Sequence, residues 1–133
     1  MKSTLSCALR AEPHHGLAEG VRALLATAFD AVVMVTDQTS LLEAAGGLNL
    51  RLAVVNLSLA RPDVGAFLQA LRTECPALRV VFLSVHDETA ISRSVLDAGA
   101  DGFVVKRNIA AELLPAVDAA LGGDTGGLTL AAS

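Results

Sequence analysis

Four polar residues end or directly follow short apolar runs, and their side chains supply groups for acid–base or ion-binding chemistry. Glu12 follows an apolar stretch near the start of the chain, Asn56 and Ser84 stand near the ends of two further runs, and Lys106 follows a fourth. Together they offer a carboxylate, an amide, a hydroxyl and an ammonium group, with hydrogen-bond donors and acceptors and charges of both signs. These four residues are the candidate site, provided that the fold brings them to one place.

Five apolar runs alternate with five amphipathic segments, which predicts the elements that carry these residues. The predicted strands are residues 4–9, 31–35, 52–57, 79–85 and 102–105. The predicted helices are residues 15–27, 40–45, 64–74, 88–98 and 109–121. Strands that are apolar throughout are typical of a sheet covered on both faces. The alternation therefore predicts an α/β fold, a doubly wound parallel sheet of five strands with helices on both faces and 2-1-3-4-5 as the leading strand order.

Side chains near the helix ends predict how several of these helices begin and stop. Ser40 and Glu43 have the spacing of a capping box. Asp87 and Asn108 are candidate N-caps of the fourth and fifth helices, and Gly99 is the predicted stop of the fourth. In an open parallel sheet the carboxyl ends of the strands face one crevice. We therefore expect the four candidate site residues to meet there.

Four stretches of the chain, in order and at matching spacing, resemble the receiver domain of two-component response regulators. The stretches are EGVRALL at 19–25, VVNLSL at 54–59, FLSVHD at 82–87 and AGADGFVVK at 98–106. The likeness is strongest to the branch that usually precedes a helix-turn-helix output domain, and it covers residues 5–123. It implies a flavodoxin-like receiver domain over residues 1–123, followed at 124–133 by a flexible tail or the start of a linker.

The family's phosphorylation site has three acidic positions, and this sequence keeps an acidic residue at only one of them. The two acidic residues that bind magnesium in the family fall on Glu12 and Pro13, so one carboxylate is lost. The phosphoacceptor aspartate falls on Asn56. A carboxamide oxygen is far less nucleophilic than a carboxylate and cannot form an acyl phosphate. The resemblance thus implies a degenerate phosphoacceptor pocket that has no catalytic residue and holds no metal or cofactor.

Three further positions of the family pattern are kept or nearly kept. Ser84 falls on the hydroxyl position that contacts the phosphoryl group, Lys106 on the family lysine, and Phe103 on the switch aromatic. We expect Lys106 to pair with Glu12 and to donate to the Asn56 carbonyl. The pocket is then expected to rest in one state without a ligand.

Composition and charge exclude several classes of function. The net charge is −4 with no basic cluster, which predicts no direct binding of nucleic acid. No apolar run is long enough to span a bilayer, and residues near the N-terminus do not form a signal peptide. Cys7 and Cys75 have no metal or redox spacing. We expect a cytoplasmic protein that is not an enzyme.

Three modes of action remain open at this point. The first is a receiver that acts through protein contacts without phosphorylation, with the fourth helix, the fifth strand and the fifth helix as the face for self-association or a partner. The second is a phosphotransfer partner that uses another acceptor, Ser58 or Asp63. The third is a small-ligand or anion sensor that binds in the vacated acidic pocket near Lys106.

Overall fold

The computed structural model describes residues 6–10, 15–27, 31–35, 37–47, 50–61, 63–86 and 88–121. Side chains are described from residue 20 onward, except in the strand at 31–35. The strands are β1 (Ser6–Arg10), β2 (Ala31–Val35), β3 (Leu52–Asn56), β4 (Arg79–Ser84) and β5 (Gly102–Val105). The helices are α1 (His15–Ala26), α2 (Gln38–Gly47), α3 (Leu57–Ala60), α4 (Val64–Glu74), α5 (Thr89–Asp97) and α6 (Ile109–Ala120).

The strands form one parallel sheet in the order β2-β1-β3-β4-β5. The predicted α/β fold with a parallel sheet and packed helices is confirmed. Two short elements were not predicted, namely the four-residue helix α3 and a 3-10 turn at Lys106–Asn108. Within the described ranges, no helix is long and apolar enough to cross a membrane.

Hydrophobic clusters cover both faces of the sheet. In β3, Leu52 and Val54 pack in a cluster with residues of α1 and α6, whereas Ala53 and Val55 pack in a second cluster with residues of α2 and α4. All five residues of β3 are buried. Because successive strand residues point to opposite faces, burial on both faces explains why the first four residues of this strand are all apolar.

The start of α2 corrects one prediction. The Oδ1 atom of Asp37 accepts a hydrogen bond from the Ser40 backbone nitrogen at 2.7 Å, so Asp37 caps this helix. Ser40 already lies in the first turn, and the predicted capping box of Ser40 and Glu43 is wrong. The Ser40 backbone N–H is one of the donors that the start of a helix leaves unpaired. The Asp37 carboxylate, from the residue before the helix, accepts its hydrogen bond. Asp63 caps α4 in the same way, by accepting from Ala66 at 2.9 Å.

The other predicted helix ends have mixed outcomes. Asp87 lies outside the described residues, so its predicted cap stays a prediction. Asn108 directly precedes α6 as predicted, but its side chain makes no capping hydrogen bond. Gly99 follows the end of α5 and has a φ of 116°, a conformation that side chains with a Cβ rarely adopt. It therefore serves as the predicted helix stop.

A partly buried polar cluster fixes the turn that leads into β5. The Oδ2 atom of Asp101 accepts from the Val80 backbone nitrogen at 2.9 Å and from Arg72 Nη2 at 2.6 Å. Arg72 also donates to the Gly99 carbonyl at 2.8 Å, which ties the turn to α4. These bonds set the start of β5 against β4, and hence the position at which Lys106 leaves the sheet.

Candidate functional site

The register of β3, β4 and β5 brings three of the predicted site residues to one edge of the sheet. Asn56 ends β3 and is paired with Leu83, the residue before Ser84 in β4. Ser84 ends β4 and is paired with Val105 of β5, which directly precedes Lys106. The strands are parallel, so these ends share the carboxyl edge of the sheet, where ligands bind in open α/β folds.

Asn56, Ser84 and Lys106 line one cavity of about 340 Å³. Asn56 and Ser84 are buried, with 3% and 4% of their surface exposed, and Lys106 is half-buried. The full lining of the cavity is Asn56, Leu57, Ser58, Arg61, Leu83, Ser84, Val85, His86 and Lys106. The structure thus brings together three of the four residues that the sequence singled out first.

The remaining predicted site residues lie outside this cavity or outside the described residues. Glu12 and Pro13 belong to the second group, so the predicted pair of Glu12 with Lys106 stays a prediction. Phe103 lies in the edge strand β5, half-buried, and packs against the core cluster that contains Phe82. Its proposed role as a switch also stays a prediction. Asp63, one of the alternative acceptors, caps α4 and is not part of the cavity lining.

The two buried polar side chains of the cavity differ in their hydrogen bonding. The Oγ atom of Ser84 accepts from the His86 backbone nitrogen at 3.0 Å, which fixes the loop after β4. The Oδ1 atom of Asn56 is fully buried and has no hydrogen-bond partner in the described part of the chain. An unpaired buried acceptor costs about 1–3 kcal/mol of stability.

The charged groups that line the cavity are basic. Arg61 and Lys106 contribute side chains to it, and none of its described lining residues is Asp or Glu. At the rim, His86 Nδ1 lies 3.8 Å from a carboxylate oxygen of Glu88, and both side chains are more than half exposed. This lining favours a ligand that carries negative charge.

Arg61 and His86 were not among the predicted site residues. Arg61 directly follows α3, whose single turn carries the chain back over the end of β3. A helix of four residues leaves no periodic pattern in the sequence, so that return could not be predicted. His86 lies two residues after the end of β4 and directly after the predicted strand 79–85, and that position was the signal that could have identified it.

The described lining does not fit a magnesium ion, which the receiver resemblance implies for this position. Magnesium prefers carboxylate oxygens in near-octahedral geometry and keeps several waters. Here the side chains of the described residues offer one amide, two hydroxyls, one imidazole and two cationic groups, but no carboxylate. Among the described residues, no group of three or more His, Cys, Asp or Glu side chains has the arrangement of a metal site.

Comparison with known proteins identifies the family. The sequence model of the response regulator receiver domain matches residues 9–118, most of the chain. This chain belongs to the receiver domain family. It is therefore a signal-transduction domain, and its cavity lies at the edge of the receiver sheet formed by the ends of β3, β4 and β5.

Individual relatives agree with this assignment. Over 53 residues the receiver is 47% identical to the transcriptional activator protein ExaE of Pseudomonas putida; that stretch is 40% of this chain and 25% of ExaE. The signal receiver domain of the response regulator NarL from Mycobacterium tuberculosis is 25% identical, with a TM-score of 0.73 over 92% of this chain and 99% of that one. A LuxR-family response regulator from Aurantimonas sp. SI85-9A1 gives the same TM-score at 24% identity, over 90% and 85% of the two chains.

Proposed function

We propose that this chain is an atypical receiver domain that acts through protein–protein contacts, independently of aspartate phosphorylation. In this proposal it is a cytoplasmic module of transcription regulation, of the branch that precedes a helix-turn-helix output domain. It is neither an enzyme nor a direct nucleic-acid or membrane binder, and it needs no cofactor. The likeness to part of the activator ExaE and to the receiver domain of NarL supports the regulatory context.

One observation carries the proposal: an amide stands at the buried end of β3, in the cavity that Ser84 and Lys106 also line. By the receiver pattern, position 56 is the phosphoacceptor, and Asn56 replaces its carboxylate. An amide nitrogen and oxygen share their lone-pair density and attack phosphorus poorly. The cavity therefore keeps the hydroxyl and the lysine of a phosphoryl site without the group that would form the bond.

The proposed contact face is the end of the sheet built from α5, β5 and α6. Of the nine residues of α5 only Val95 is buried, whereas α4 buries Phe67, Leu68 and Leu71. β5 is an edge strand in which one residue of four is buried. Leu96 of α5 has 44% of its surface exposed. A thinly packed helix beside an edge strand, with an exposed leucine, favours contact with a second copy or another protein.

Intact-mass measurement after incubation with phosphoramidate and magnesium tests the proposal. We expect no stable gain of one phosphoryl group, because Asn56 lacks the nucleophilic carboxylate. An authentic receiver with an aspartate at this position serves as the positive control. A phosphoryl group mapped to Asn56 would contradict the proposal. A phosphoryl group on Ser58 or Asp63 would also contradict it, and would support the phosphotransfer alternative.

A further inference from the structure

We propose that α5 and the turn after it, residues 88–101, open and close as one unit while the rest of the domain stays folded, and that Arg72 of α4 holds this unit closed. We call residues 88–101 the α5 segment. Because α5 belongs to the proposed contact face, the regulatory consequence rests on the proposed function. Control of the contact face would then act at the amino edge of the sheet, opposite to the cavity.

The α5 segment is thinly packed on the rest of the domain. Within it only Val95 is buried, although Ile91 and Ala100 are partly buried against the same core cluster. The neighbouring helices bury more residues, namely Phe67, Leu68 and Leu71 in α4 and Leu113, Val117 and Ala120 in α6. A segment that buries little apolar surface opens at a lower free-energy cost than the whole fold.

The turn at the carboxyl end of the α5 segment is bonded to α4 and β4. Arg72 Nη1 donates to the Gly99 carbonyl at 2.8 Å, and Arg72 Nη2 donates to Asp101 Oδ2 at 2.6 Å. The Val80 backbone nitrogen donates to the same Asp101 oxygen at 2.9 Å. Arg72 therefore binds both the backbone and a side chain of the turn from a helix outside the segment.

The close approach of Arg72 to the turn requires glycine at position 99. Gly99 has a φ of 116°, and a Cβ atom there would lie 3.2 Å from Arg72 Nη1. A side chain at this position would be strained by the backbone conformation and would crowd the guanidinium. The Arg72 bonds thus form only with the turn in its closed position, and they break when the turn moves away from α4.

The bonds from Arg72 can break without unfolding of the core. The Arg72 side chain has 29% of its surface exposed and that of Asp101 has 18%, so water reaches both groups when the segment opens. Hydrogen bonds to charged groups contribute more than neutral ones, so the Arg72 bonds make up a large part of the cost of opening. Leu96, with 44% of its surface exposed, moves with the segment. The contact face is therefore complete only in the closed state.

Hydrogen exchange of the wild-type protein, followed by mass spectrometry at pH 7, tests whether the α5 segment opens locally. The Ala98 N–H, for example, is bonded to the Ser94 carbonyl at 3.0 Å and exchanges only when that bond opens. After correction for intrinsic rates, we expect α5 amides to exchange at least about tenfold faster than the slowest amides of β3 and β4. Exchange in α5 as slow as in β3 and β4 would overturn the inference.

Arg72→Gln tests the role of the guanidinium and keeps a good helix former in α4. Local opening and global unfolding both break the Arg72 bonds. We therefore expect the protection of α5 amides to fall by about tenfold or more, and the equilibrium constant for global unfolding in urea to rise by the same factor. Arg72→Lys keeps the charge but not the planar fork, so a smaller change in the same direction is expected. It replaces Arg72→Gln in the test if that variant does not fold.

Arg79→Gln is the matched control. Arg79 Nη1 lies 3.5 Å from the other carboxylate oxygen of Asp101, and its side chain is 52% exposed. The substitution removes the same charge beside the same carboxylate, but the bond from Arg72 to the Gly99 carbonyl remains. We expect α5 exchange to change by less than about twofold, because exposed ion pairs contribute little to stability.

Two results for the variants would overturn the inference. Unchanged α5 exchange in Arg72→Gln, whether or not global stability falls, would show that Arg72 does not hold the segment closed. Equal changes in Arg72→Gln and Arg79→Gln would indicate a general effect of charge near Asp101. The mass measurement keeps the two proposals separate. Slow α5 exchange removes only the local opening, whereas a phosphoryl gain at Asn56 removes the proposed function and leaves the exchange result in place.

Discussion

Two polar side chains at opposite edges of the sheet, Asp101 before β5 and Asn56 at the end of β3, differ in how their hydrogen bonds are satisfied. Asp101 receives the Arg72 guanidinium, lies 3.5 Å from Arg79 Nη1 and accepts the Val80 N–H. Asn56, at the carboxyl edge, leaves its carbonyl oxygen unpaired among the described residues. The first arrangement stabilises the fold, whereas the second costs stability and is a mark of a functional site.

Asp101→Asn is expected to lower the free energy of unfolding by about 1.5–3 kcal/mol. The neutral amide accepts weaker hydrogen bonds from Arg72 and the Val80 N–H than the charged carboxylate does. The Asp101 side chain has 18% of its surface exposed, so solvent replaces little of this interaction. Urea unfolding of the two proteins measures the difference. Asp97→Asn, an exposed aspartate of α5, is the control, with an expected change below about 0.5 kcal/mol. Equal effects of the two substitutions would show that the Asp101 cluster is not a stabilising contact.

At the scale of elements, the start of α2 gives a prediction with an internal control. Asp37→Ala removes the carboxylate that caps Ser40 and is expected to lower the free energy of unfolding by about 1 kcal/mol. Ser40→Ala is expected to have a much smaller effect, since the Ser40 backbone and not its hydroxyl takes part in the cap. Thermal and urea unfolding of both variants compare them. A larger loss from Ser40→Ala would restore the capping box that the structure replaces.

The sequence was sufficient to predict elements whose burial produces a pattern of apolar residues. It was not sufficient to predict elements as short as a single helical turn. The runs of β3 and β4 are buried on both faces, so their apolar residues could be recognised without a structure. Asn56, Ser84 and Lys106 could be predicted as neighbours because each stands at the end of such a run. The short helix α3 and the position of Arg61 at the cavity could not be predicted, because four residues are too few to show helical periodicity. The Asp37 cap was missed because Ser40 and Glu43 offered a competing pattern of the same residue types.

At the scale of the whole molecule, the proposed contact face predicts how self-association responds to one exposed side chain. Leu96→Glu places a charge on the exposed part of α5 and is expected to weaken any self-association by about tenfold or more, because a buried charge at an interface is costly. Gln69→Glu, on the exposed part of α4, is the matched control with the same new charge. Sedimentation velocity over a concentration series measures both. If the control weakens association as much as Leu96→Glu does, the contact face lies elsewhere.

The central claim is that Glu12, Pro13 and Asn56 are the three positions of a receiver's acidic cluster, and that two of its carboxylates are lost. Restoring them by Asn56→Asp together with Pro13→Asp would place three carboxylates at one edge of the sheet. Like charges held together oppose their own ionisation and destabilise the compact state. A bound magnesium ion would be the largest local charge and would neutralise them.

The melting temperature of this double variant, with and without millimolar magnesium, tests the claim most directly. We expect the variant to melt below the wild type without magnesium and to recover by at least about 3 °C when the ion is added, since a ligand at a hundredfold excess over its Kd stabilises by about 2.7 kcal/mol. The wild-type protein is expected to show almost no response to the ion. A double variant that melts at the same temperature with and without magnesium would contradict the convergence of the three positions, and with it the assignment of Asn56 as the phosphoacceptor position.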